Sequence, residues 1–133
     1  MPLAPNLTPN TYYFEKVVTT PANTGDLATS FDLGLTILES VQVLWPPGQN
    51  ALIGVALALD GVWVLPWNQT GQFIFDSNER RDFSIGLLLD HPVVVHTHNA
   101  TKAAHQTFLT FVTTDVPLPG DAPATQALPL LMP

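Results

Sequence analysis

Ala51-Leu-Ile-Gly-Val-Ala-Leu-Ala-Leu-Asp-Gly-Val-Trp-Val-Leu65 places two apolar runs on either side of Asp60-Gly61. A two-residue type I′ turn needs positive φ at both central positions, which Asp-Gly supplies, so the spacing predicts a β-hairpin. That pairing sets Leu59 opposite Val62 and Leu57 opposite Val64 on one face, with Ala58 opposite Trp63 and Ala56 opposite Leu65 on the other. Both faces are then apolar, whereas a strand at the surface of an ordinary sandwich carries polar residues outward. The face bearing Ala, Trp63 and Leu65 must be covered, either by another segment of the chain or by a neighbouring subunit. Small Ala against large Trp63 suggests interlocking volumes.

Working outward, strand signals recur with no helical pattern between them. Thr11–Thr20, Leu35–Trp45, Gly71–Phe75, Asp82–Leu89, Pro92–His98 and Gln106–Thr114 are rich in β-branched and aromatic residues. Turn formers separate them: Pro46-Pro47-Gly48, Asp76-Ser-Asn78, Asp90-His91-Pro92 and Asn99-Ala-Thr101. A single helical turn is expected over residues 101–105. About eight strands in this order predict an all-β fold, an antiparallel β-sandwich of jelly-roll-like type. The domain is expected over 11–116, between an N-terminal arm at 1–10 and a Pro-rich C-terminal arm at 117–133. Proline cannot donate to a sheet interior, and both ends are dense in it. Leu128, Leu130, Leu131 and Met132 give the second arm apolar side chains with which to lie on a neighbour.

Composition narrows the function classes. Of 133 residues only 11% are charged, against about 25% in an average soluble domain, while 46% are hydrophobic and the net charge is −7. Lys16, Arg80, Arg81 and Lys102 are the whole fixed positive complement, too few for a phosphate-binding stripe. Neither nucleic acid nor an anionic membrane is an expected partner. Cysteine is absent, which removes disulfides, thiol nucleophiles and Cys-ligated metals. The start, Met1-Pro-Leu-Ala-Pro5, lacks the basic and apolar regions of a signal peptide, and no run reaches the roughly 20 residues of a membrane span.

Several side chains invite a site. His96 and His98 share a strand face and could ligate one Zn²⁺ or Ni²⁺, with His105, His91 or Asp90 as a third ligand. The spacing has no supporting carboxylate inside it, so hydrogen bonding near a polar strand end is the expected use of both rings and no metal is expected. Trp45, Trp63 and Trp67 with Tyr12 and Tyr13 could form a stacking platform for sugars, although core or interface packing is their expected use. Asp76, Glu79 and Asp82 fall beside Arg80 and Arg81, a pattern of local ion pairs on a solvated loop. No nucleophile elbow, phosphate-cradling loop or metalloprotease motif occurs, so no residue is assigned a catalytic role and no cofactor is expected. Arg80-Arg81, the one basic pair in an acidic chain, suits an acidic patch on another subunit.

The stretch Val41-Gln-Val-Leu-Trp-Pro-Pro-Gly48, then Leu52-Ile-Gly-Val-Ala56, the Asp60-Gly61 hairpin, Val64-Leu-Pro-Trp-Asn68 and Phe108-Leu-Thr-Phe111 resembles small β-sandwich virion proteins of tailed bacteriophages. The resemblance spans roughly residues 35–116. It implies a non-enzymatic structural protein that decorates or cements a capsid, or joins parts of a tail, as a homo-oligomer with extended arms, and that needs no cofactor. Its expected partners are itself and a major capsid or other virion protein, and its location is the virion, assembled in the host cytoplasm. The interface residues read from the sequence are then Trp63, Leu65, Arg80, Arg81, Leu128, Leu130, Leu131 and Met132. A receptor- or carbohydrate-binding tip domain is the alternative, using Trp45, Trp67 and Tyr12.

Overall fold

The computed structural model describes residues 10–66 and 73–117. They form nine strands: β1 (Thr11–Thr20), β2 (Thr24–Phe31), β3 (Thr36–Trp45), β4 (Ile53–Leu59), β5 (Val62–Leu65), β6 (Ile74–Asp76), β7 (Glu79–Leu89), β8 (Val93–Asn99) and β9 (His105–Thr114). Sheet A has the order β1-β9-β3-β7. Sheet B has the order β2-β8-β4-β5, with β6 pairing the same edge of β4 further along. All pairings are antiparallel, as the sequence predicts for a sandwich.

The core lies between the sheets. Val41, Val43, Trp45, Leu109 and Phe111 from sheet A meet Ile53, Val55, Leu57, Val93 and Val95 from sheet B, each at most 1% exposed. Period-two alternation puts these residues on one face of their strands. The Trp45 indole N–H donates to the Ile53 carbonyl at 3.0 Å, which satisfies its one polar atom inside the core.

One end of the sandwich is fastened by polar groups instead. The Thr20 hydroxyl on β1 donates to the Thr97 hydroxyl on β8 at 2.8 Å, bridging the two sheets, and both residues are fully buried. Beside them the Asn99 amide donates to the carbonyls of Thr20 at 3.0 Å and Ala103 at 2.8 Å. Its oxygen accepts from the Thr101 N–H and hydroxyl at 2.8 and 2.7 Å. This side-chain cap shapes residues 101–103 into bends, where a helical turn is expected from the sequence; Asn and Thr side chains offer the backbone an alternative to helix here.

Two further expectations are corrected. Strand β2 carries no strong sequence signal, because Gly25 and Asp26 are poor strand residues, yet Leu27, Thr29 and Phe31 alternate inward along it. The Asp60-Gly61 turn forms with φ of 50° and 79°, and Ala58 opposes Trp63 and Leu59 opposes Val62 as read. Leu57, however, faces Leu65, with a register shift between Leu57 and Ala58. The extra residue, Val64, turns Leu65 away from the Trp63 face and into the core, where Leu65 is 8% exposed.

Candidate functional site

Apart from Trp45 and Leu65, which are buried in the core, the candidate residues that the structure describes lie on the outer faces, strand edges and turns. On sheet B, strand β4 shows only Gly54, Ala56 and Ala58 outward, opposite His98, His96 and Val94 of β8. The small side chains leave a trough that larger rings fill. Trp63 lies 4.6 Å from His96 and 6.5 Å from Phe73, and Phe73 and Phe75 lie 5.5 and 5.4 Å from His98, centroid to centroid. A Cβ on Gly54 would stand 2.6 Å from the Phe73 Cβ and 2.9 Å from the Phe75 ring, so glycine is required for that close approach. The second apolar face of the hairpin is therefore covered by the chain's own residues 73–75, and Trp63 is half-buried in that packing.

The two histidines share this face, as their spacing predicts. One nitrogen of each ring meets a protein acceptor: His96 Nδ1 sits 2.9 Å from an Asp26 carboxylate oxygen and His98 Nδ1 2.9 Å from the Gly25 carbonyl. Among the described residues no three His, Asp or Glu side chains gather as a metal site. His91 is held elsewhere, 2.8 Å from Asp90 and 4.0 Å from Asp60 beside the hairpin turn. The Asp90 hydrogen bond, with the Asp60 charge behind it, raises the imidazole above its ordinary range, and the same hydrogen bond lowers the Asp90 carboxyl.

On sheet A the register lines outward side chains into rows across all four strands. One row is Val17, Phe108, Leu44 and Arg80; the next is Glu15, Thr110, Gln42 and Asp82; then come Tyr13, Val112, Ser40 and Ser84; the last is Thr11, Thr114, Ile37 and Leu88. Tyr13, Val17 and Leu88 are 67%, 50% and 49% exposed, so this face presents large apolar area to its surroundings. The first two rows enclose a depression of about 340 Å³ lined by Glu15, Lys16, Val17, Gln42, Leu44, Arg80, Phe108, Leu109 and Thr110. Its lining holds no histidine or serine and a single carboxylate, Glu15.

The sequence-derived candidates fall in different places. Arg80 lines the depression. Arg81 points to the inner side of the β7 edge, where its guanidinium contacts Asp76 at 3.4 Å and lies 5.2 Å from the Phe83 ring centre. Hydrogen bonding between the neighbouring Asp76 and Glu79 carboxyls lowers Asp76 and raises Glu79. Glu79 and Asp82 belong to strand β7 instead of a loop. Of the candidate stacking residues, Trp45 is fully buried and Tyr12 is 42% exposed at the start of β1, accepting from the Asn10 amide at 3.4 Å. Trp67, Leu128, Leu130, Leu131 and Met132 lie outside the described residues. Sequence reading missed Tyr13, Val17, Leu44 and Phe108 as one surface. The period-two spacing within each strand was visible, but the order of strands that aligns them was not.

No family model and no curated protein sequence matches the chain. Among solved structures, a subunit of Bacillus endospore appendages, described as a novel family of disulfide-linked pili, aligns with a TM-score of 0.46 at 13% identity over 84% of this chain and 94% of that one. A likeness that distant carries nothing about function, and this chain has no cysteine for a disulfide link.

Proposed function

We propose that the protein is a non-enzymatic structural subunit that self-associates and attaches to a larger assembly through the outer face of sheet A. The observation that carries this reading is the exposed apolar row of Val17, Phe108 and Leu44, backed by Tyr13 and Leu88 on the same face. Large exposed apolar side chains gathered on one sheet face mark protein interfaces, and here the polar row of Glu15, Thr110, Gln42 and Asp82 runs between them. Its composition agrees, since only 11% of its residues are charged.

The finer form of the reading is a capsid decoration or cement subunit of a tailed bacteriophage virion, assembled in the host cytoplasm. It rests on the sequence resemblance over residues 35–116. Here the partner is a major capsid or other virion protein, and residues 117–133 with Leu128, Leu130, Leu131 and Met132 are a second anchor. Apolar burial would supply the attachment energy at roughly 25 cal/mol per Å² before the cost of association. Attachment should then survive salt near about 1 M, where the screening length falls to about 3 Å. Sedimentation velocity of the free protein, with co-sedimentation on shells that lack it, tests this. Retention at high salt, with loss on Val17→Asp/Phe108→Asp, is the expected result; an unassembled protein that pellets with no shell would refute it.

A further inference from the structure

Sheet A ends in two unpaired edges, β1 and β7, and among the described residues no segment pairs with the outer side of either. Long bare edges usually carry devices that prevent pairing, such as proline, an inward charge or a bulge. Strand β1 has no proline between Thr11 and Thr20, and β7 is regular from Glu79 to Ser84 before a register shift against β3 and Gly86 at a φ of 74° interrupt it; both edges do carry inward-facing charges, Lys16 on β1 and Glu79 and Arg81 on β7, so a partner edge must supply matching charges. The four strands alternate in direction, so β1 and β7 run opposite ways. A second copy placed beside the first by simple translation therefore sets its β1 antiparallel to β7, with outward residues meeting outward residues.

The charges select a register. Glu15 and Lys16 on β1, and Glu79 and Arg80 on β7, have no ion-pair partner within 4.0 Å among the described residues. These are four of only 15 charged residues in the chain. Placing Arg80 opposite Glu15 sets Glu79 opposite Lys16, Arg81 opposite Phe14, Asp82 opposite Tyr13, Phe83 opposite Tyr12 and Ser84 opposite Thr11. Both ion pairs form, a guanidinium meets an aromatic ring and two rings pair, all within the straight part of β7. Sliding by two residues one way sets Glu15 against Asp82, a like-charge pair. Sliding the other way sets Glu15 against Asn78 and leaves Arg80 facing Tyr13.

We propose that copies of this chain join head to tail by pairing residues 11–16 of β1 with residues 79–84 of β7, extending sheet A from subunit to subunit. The contact is heterologous, so it propagates as a ring or an open filament instead of closing on a two-fold axis. The proposal deepens the self-association reading above and depends on it.

Because the chain has no cysteine, a pair of introduced thiols reads the register directly. Tyr13→Cys/Asp82→Cys leaves all four edge charges in place. Across a formed antiparallel pair the two Cα atoms would be about 4.5–5.5 Å apart, within disulfide reach. Inside one molecule three strand spacings and a two-residue offset, more than about 14 Å, separate them. Mild oxidation of the otherwise intact chain should give a ladder of covalent dimers, trimers and larger species on non-reducing gels. Tyr13→Cys/Ser84→Cys, offset by two residues, should give none. In sedimentation, Glu15→Arg and Arg80→Glu should each lose species above the monomer, and the combined exchange should recover them. Assembly without a ladder overturns the edge contact while leaving self-association standing. A protein that stays monomeric overturns both, and dimers formed by Tyr13→Cys alone would show β1 pairing with β1 and overturn the head-to-tail contact.

Discussion

Replacing Thr97 by Val removes the acceptor of a hydroxyl–hydroxyl bond that bridges the two sheets, 2.8 Å long between residues with no solvent exposure. The Thr20 hydroxyl is then buried without a partner, which costs about 1–3 kcal/mol, while the added methyl recovers up to about 0.8 kcal/mol. A net loss of about 1–2 kcal/mol is expected, or roughly 3–8 °C in Tm for a domain of this size. Thr20→Val should cost about as much, for the mirror-image reason. Thr20→Val/Thr97→Val leaves neither hydroxyl stranded, and its stability should return to within about 0.5 kcal/mol of the parent. That is a coupling of about 2 kcal/mol or more in a double-mutant cycle. Urea unfolding followed by the fluorescence of buried Trp45 measures all four corners, and equal m-values validate the comparison. Thr113→Val is the internal control: its hydroxyl is already buried without a partner, so the change should be neutral or stabilising. Additive single costs in the double variant would refute the bridge, and a destabilised Thr113→Val would refute the reasoning about stranded hydroxyls.

Two more outcomes follow from the geometry on sheet B and at the hairpin. Gly54→Ala forces the Phe73 and Phe75 side chains off β4 and should cost about 1–3 kcal/mol as overpacking; thermal unfolding checks it, and a parental Tm would show that the rings give way freely. His91 should titrate above its ordinary range, falling more on Asp90→Asn than on Asp60→Asn, since the Asp90 hydrogen bond is the larger cause. Its raised value means that the contribution to stability is full below the unfolded-state pKa and fades as pH rises through the folded one. The lowered Asp90 loses its share as pH falls through its own folded value, so the pair acts in the mildly acidic range between them. Imidazole proton shifts across pH in the three proteins decide the point.

The alternation along each strand is a local property, set by a backbone that turns successive side chains to opposite sides, and it was legible. It placed His96, His98 and Val94 on one face and Thr97 and Asn99 on the other. It could not say which face is inside, because here the polar Thr97 and Asn99 are buried and the histidines look outward. Trp45 shows the same limit. A tryptophan beside prolines at a strand end serves a stacking platform or a core equally well until the Ile53 carbonyl is seen to receive its N–H.

By itself the sequence determined the all-β class, the Asp60-Gly61 turn, most strand positions and a surface poor in charge, since each follows from local backbone preference or from composition. Only the tertiary structure decided how nine strands divide between two sheets, that residues 73–75 cover the second face of the hairpin, and that a one-residue shift at Val64 sends Leu65 inward. It alone brought Val17, Phe108, Leu44 and Arg80 into one row from four strands. Strand pairing joins residues as far apart as Val17 and Phe108 through backbone groups that every residue carries alike, so the choice of partner is made by the packing of the whole chain and leaves no local mark.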